Sequence, residues 1–191
     1  MNTNKIILAL VALAAFSGLA NAAGPRVVIY NNEACGHCQP YIAGLMDGLE
    51  SIGINDFEVR RLINNASVRA ELSQLQASRG VPLEMQGHLV VAVDGKYLFE
   101  GHVPTQLVTQ FLSQRAKDYP DGIVVTQDSM SDAPTYLMMV DGQIREFAIG
   151  QPIGSADGAA SPSGGYGSYA LPALIVLIPL ALLFFGGVLN D

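Results

Sequence analysis

Cys35-Gly36-His37-Cys38 constrains this chain more than any other stretch, and it contains the only two cysteines in the sequence. A β-branched run, Arg26-Val27-Val28-Ile29-Tyr30, precedes it, and a segment with helical apolar spacing follows. A strand that leads through Cys-x-x-Cys into a helix sets the first sulfur beside unpaired backbone N–H groups. That helix end carries about +0.5 of an elementary charge, which favours thiolate over thiol. A protonated His37, between the two sulfurs, adds a second positive charge.

The flanking segments predict a βαβαββα order. Pro40 is compatible with a first helical turn, and Ile42, Leu45, Met46 and Leu49 keep helical spacing as far as Gly53. Phe57 to Ile63 reads as a second strand, with Asn64-Asn65 as a turn. Ser67 is the expected N-cap of a helix that runs to Ser78 and closes at Arg79-Gly80. His88 to Val93 and Lys96 to Glu100 form a hairpin about Asp94-Gly95. Pro104 then opens a helix through Leu107, Val108, Phe111 and Leu112. These are the parts of a thioredoxin-like α/β domain, expected over residues 23–117.

A C-terminal β extension is expected over 118–150: a strand at Ile123 to Thr126, then a second hairpin, Tyr136 to Val140 and Gln143 to Ile149. Leu89 to Gly95 aligns with Tyr136 to Gly142, but no helices accompany the second copy, so it extends or covers a sheet edge and is not a repeat. Residues 151–168 are rich in Gly, Ser, Ala and Pro and read as a linker. Residues 169–189 are apolar, interrupted by Pro172 and Pro179, and long enough for one transmembrane helix, with Tyr166 and Tyr169 at the interface. Residues 1–22 have the form of a signal peptide: Lys5, an apolar run from Ile6 to Phe16, and Ala20-Asn21-Ala22 as a cleavage pattern. The domain is therefore expected on the periplasmic or extracytoplasmic side, held to the membrane by its C-terminal helix.

The formal net charge is −7, and loss of residues 1–22, with Lys5 as their single charge, makes it one unit more negative. Nucleic acid is thereby excluded as an expected partner, since phosphate binding needs clustered Lys and Arg.

Two chemistries compete for the cysteines. In thiol–disulfide exchange Cys35 is the nucleophile, Cys38 resolves the mixed disulfide, and His37 stabilises the thiolate. No cofactor is needed, and the partners are protein thiols or disulfides and a redox protein that resets the pair. Glu33 or His88 would move the proton. An inert structural bridge is disfavoured, because closing so small a loop removes little chain entropy. In the metal reading, the two thiolates and an imidazole suit Cu(I) or Zn(II). Counting back from Asp94-Gly95 by the spacing usual in thioredoxins lands on Gly87, beside His88, and not on Pro82. Hence the loop expected to face the cysteines presents His88, which makes Cys35, Cys38 and His88 the candidate ligands. His102 is expected to be structural, near the start of the last helix. A redox-inactive interaction module near the membrane is the third reading.

Gly80-Val81-Pro82-Leu83-Glu84-Met85, Gly87-His88, Val93-Asp94-Gly95 and Glu100-Gly101-His102-Val103-Pro104, after the early Cys-x-x-Cys, resemble the pattern of a small exported family of thioredoxin-like proteins usually described as metal-binding. The likeness covers roughly residues 27 to 115. In that family a cysteine stands where this chain has Gly87, and Gly-His between the cysteines is the dipeptide of protein disulfide isomerases. The resemblance implies metal binding; the departures imply exchange. The tryptophan that precedes the motif in thioredoxins is absent. On balance the sequence favours a membrane-anchored thiol–disulfide oxidoreductase, with a copper- or zinc-handling domain as the alternative.

Overall fold

A computed structural model of the chain describes residues 24–127, 134–156 and 159–160. The expected signal peptide, the transmembrane segment and most of the linker lie outside them. Among the described residues no helix is long and apolar enough to cross a membrane.

The described residues form a mixed α/β structure. Its elements run β1 (Arg26–Asn31), α1 (Cys38–Ser51), β2 (Asp56–Arg61), α2 (Ala66–Ser78), a 3-10 turn (Leu83–Met85), β3 (Val90–Val93), β4 (Tyr97–Gly101), α3 (Thr105–Gln114) and a second 3-10 turn (Ala116–Asp118). Four more strands follow: β5 (Ile123–Gln127), β6 (Thr135–Val140), β7 (Gln143–Ala148) and β8 (Ala159–Ala160). All eight strands join one sheet in the order β2-β1-β3-β4-β5-β6-β7-β8. Strands β1 and β2 are parallel, as are β4 and β5; the other neighbours are antiparallel.

Helices cover the sheet on both faces, so β3, β4 and β5 are buried along their whole length. This is why they read as continuous apolar runs and not as alternating ones. Ile42, Leu45 and Leu49 of α1 and Leu107, Val108 and Phe111 of α3 share one core cluster with Ile29, Val91 and Phe99. On the opposite face Leu72 of α2, Val81 and Met85 share a cluster with Val90, Ala92 and Leu98. Strand β2 lies at the sheet edge and carries Glu58, Arg60 and Arg61, charges that discourage pairing with another chain. Glu58 bonds both Arg26 and Arg60; the Arg60 and then the Arg26 hydrogen bonds lower its pKa to about 2.

Both hairpin turns take the conformation that their Asp-Gly sequences require. Asp94 and Gly95 have φ of 52° and 66°, and Asp141 and Gly142 have φ of 50° and 74°. Two consecutive left-handed residues match the twist of the flanking strands.

Four details differ from the sequence-based expectation. Helix α2 is capped by Asn65, not Ser67: Asn65 Oδ1 accepts from Val68 N at 3.2 Å, while the Ser67 hydroxyl donates to that same oxygen at 2.8 Å. Strand β3 begins at Val90 and not at His88, because the Gly87 N–H is directed to a side chain, Glu100, instead of the ladder. The first residues of the expected linker are tied down: Ile153 is buried, and the Gly154 carbonyl accepts from Arg115 (3.0 Å) and the Tyr119 hydroxyl (3.3 Å). A buried branched apolar side chain and these hydrogen bonds hold the stretch despite its Gly- and Ser-rich composition. Finally, β8 falls within residues expected to be linker.

Phe111 joins the α3 face to the sheet, with ring centroids 5.5 Å from Tyr97, 6.1 Å from Phe99 and 5.7 Å from Tyr119. Phe111→Ala is expected to cost about 3–5 kcal/mol, read as a lower urea midpoint with an unchanged denaturant slope.

Candidate metal centre

Strand register sets the site before any side chain is considered. Tyr30 at the end of β1 pairs with Val90 at the start of β3, and Val90 pairs with Glu100 near the end of β4. The loop leaving β1, the loop entering β3 and the loop leaving β4 therefore meet at one end of these central strands. These three loops carry Cys35 and Cys38, His88, and His102.

The β1–α1 loop is built on Asn32. Its side-chain oxygen accepts from Ala34 N at 3.1 Å and its carbonyl accepts from Cys35 N at 3.0 Å. Cys38 N then bonds the Cys35 carbonyl at 3.2 Å, and Cys38 is the first residue of α1. The helix thus opens at the second cysteine, with His37 as its N-cap residue. The two cysteines are not disulfide-bonded; Cys38 is fully buried and Cys35 partly so.

One ligand atom from each of Cys35, Cys38, His88 and His102 lies within 4.8 Å of the other three. His102 Nε2 stands 3.6 Å from Cys38 Sγ and 4.0 Å from Cys35 Sγ. The His88 and His102 rings have centroids 4.9 Å apart at 49°. Tyr41, one turn into α1, meets the His102 ring edge-on at 5.0 Å and donates its hydroxyl to the Val103 carbonyl at 2.6 Å. Burial, reinforced by the charge on Cys38, pushes the Tyr41 hydroxyl well above its usual range, which keeps it a donor.

The Cys35 thiol is held below the ordinary thiol range. Burial is the largest single influence and acts in the opposite direction. It is outweighed by the combined hydrogen bonds from the Cys38 side chain, the His37 N–H, the His88 side chain and the Cys38 N–H. The lowering comes from the Cys38 side chain, two amides and His88, and not from the His37 ring.

The site brings together three residues singled out by sequence, Cys35, Cys38 and His88. The His37 ring does not join them: the residue is exposed, lies outside the four-residue group and makes no capping hydrogen bond. Glu33 is committed elsewhere, its carboxylate accepting from Leu62 N at 3.2 Å and Ile63 N at 3.1 Å in the loop after β2. His102, expected to be structural, lies together with these three residues. A signal for it exists in the sequence, since the register Val90↔Glu100, carried two residues outward, sets His88 directly across from His102. Gly87 occupies a position where no side chain fits: a Cβ there would lie 2.4 Å from Gly101 N.

These observations define a mixed α/β protein with a Cys2His2 cluster that could hold a metal ion, at one end of the central strands of its sheet. No protein family matches the chain, and no curated protein does. A solved structure titled "Copper resistance protein copG- Form 1" is similar over 65% of this chain and 90% of that one, with 22% identity and a TM-score of 0.36.

Gly87→Ala is expected to lower stability by about 1–3 kcal/mol through overpacking, measured by denaturant unfolding. In the reduced, metal-free protein Cys35 should alkylate faster than Cys38. Its rate should rise with pH through a midpoint below that of an ordinary thiol, and His88→Ala should move that midpoint upward.

Proposed function

We propose that this chain is an exported, membrane-anchored metal-handling protein that binds a soft or borderline ion, Cu(I) or Zn(II), through Cys35, Cys38, His88 and His102. The observation that carries this reading is the mutual approach of the four donors to within 4.8 Å. Zn–S bonds of about 2.3 Å and Zn–N bonds of about 2.0–2.1 Å place tetrahedral ligands roughly 3.3–3.8 Å apart. The two sulfur–nitrogen separations of 3.6 and 4.0 Å need to contract by about 0.5 Å at most, and the widest spacing in the group, up to 4.8 Å, by about 1 Å. Thiolate and imidazole are the donors that select these ions over hard cations. Two thiolates also neutralise the two charges of Zn(II), so the closed ion would leave no net charge at a half-buried site.

The order β1-α1-β2-α2-β3-β4-α3, with the sheet order β2-β1-β3-β4, supports reading residues 23–117 as a thioredoxin-like domain, to which β5–β8 add an extension. Lys5, the apolar run after it and Ala20-Asn21-Ala22 support export, and the uncharged apolar stretch at 169–189 supports an anchor that leaves the domain outside.

Thiol–disulfide exchange is the second reading, favoured by one specific observation: Cys35 is the more accessible thiol and has the depressed pKa, as an attacking sulfur requires. Anaerobic titration of the reduced full chain separates the two. Metal handling predicts one Zn(II) or Cu(I) per chain and a thiolate charge-transfer band on Co(II) loading. Cys35→Ser, Cys38→Ser, His88→Ala and His102→Ala should each weaken affinity by more than the roughly 10- to 100-fold typical of outer-shell partners. A chain that bound neither ion, while Cys38→Ser accumulated mixed disulfides with a protein disulfide substrate, would replace metal handling with exchange.

A further inference from the structure

Glu100 is fully buried, on the face of the sheet away from α1, and belongs to none of the ligand sets considered so far. Burying a carboxyl is costly unless hydrogen bonds compensate, and an apolar side chain at such a site is often as stable or more so. Its partners show where its effect is directed. Gln76 Nε2 of α2 donates to both oxygens, at 3.1 and 3.2 Å, and steadies the group from behind. Gly87 N donates to Oε2 at 2.9 Å, immediately before His88. On the other side of the histidine, Gly101 N donates to the Leu89 carbonyl at 2.7 Å. Consecutive residues Glu100 and Gly101 thus grip the chain just before and just after His88. The next residue, His102, supplies the facing imidazole, and its own N–H is fixed on the Gln127 carbonyl at 2.7 Å. The missing Cβ at Gly87 permits the approach, since that atom would collide with Gly101 N.

We propose that Glu100 is a positioning residue for the centre: through Gly87 its carboxyl sets the His88 ring against that of His102. The inference rests on the metal reading for its consequence, affinity, but not for its geometry. Metal-bound histidines depend on outer partners for their orientation, and loss of such a partner costs about 10- to 100-fold in affinity. Here the partner acts on the main chain beside the histidine and not on its ring.

The test is a double-mutant cycle in the full chain, with Zn(II) affinity measured by competition against a chromophoric chelator. Glu100→Gln keeps the shape of the side chain and removes one acceptor oxygen. It should weaken Zn(II) binding about 10-fold in the otherwise unaltered protein, and less than twofold in the His88→Ala background. In the reduced, metal-free protein, nuclear Overhauser contacts between the two imidazole rings should be present and should disappear in Glu100→Gln. Glu100→Asp, which withdraws the carboxyl by one methylene, takes the same part if Glu100→Gln does not fold. Equal losses in both backgrounds, or unchanged ring contacts with unchanged affinity, would overturn the proposal. A chain that bound neither Zn(II) nor Cu(I) would remove the metal reading alone; the ring contacts would still decide the part played by Glu100.

Discussion

The site depends on one backbone constraint, the antiparallel register between β3 and β4. With Val90 opposite Glu100, the chain entering β3 and the chain leaving β4 diverge at the same height, and β1 ends beside them. A hairpin shifted by one residue would move every side chain to the opposite face and separate His88 from His102. The register itself is held by the Asp94-Gly95 turn and by strands buried on both faces, so the same apolar packing that stabilises the sheet also sets the spacing of two imidazoles. Stability and chemistry share one cause here.

The two sulfurs are not equivalent, and the difference follows from where helix α1 begins. Cys38 starts the helix and is sealed into the core cluster with Ile42 and Leu45, while Cys35 stays in the loop, partly open. The Cys38 side chain, two amides and His88 together outweigh the burial that alone would raise the Cys35 pKa, and hold it below the ordinary thiol range. A reachable sulfur that ionises more readily than an ordinary thiol is suited to receive an ion from a donor or to attack a disulfide. The shared requirement explains why the motif alone supports both chemistries. What separates them is the company the sulfurs keep. An exchange pair needs one accessible thiolate and a resolving neighbour, whereas four convergent donors are what a closed ion requires.

Much of the fold was legible in the sequence. The Asp-Gly turns, the unbroken apolar runs of β3–β5 and the helical spacing after Cys38 are local signals, and each fixed an element near its observed place. The boundaries that moved did so for reasons outside that local code. Asn65 took the cap from Ser67 because one side-chain oxygen could serve both the Val68 amide and the Ser67 hydroxyl. Ile153 pinned a stretch whose composition is that of a linker, because a core elsewhere in the chain had room for it.

For the site, the sequence by itself determined the cysteine pair and, through the distance from a recognisable turn, the histidine that lies beside it. Spacing along one chain direction was sufficient for that. Only the tertiary structure decided that His102 belongs with them, that His37 does not, and that a buried glutamate two residues before His102 reaches back to Gly87. Those facts depend on how β1, β3 and β4 end together in space. Residues more than sixty positions apart become neighbours there through strand pairing, a relation that no local pattern encodes.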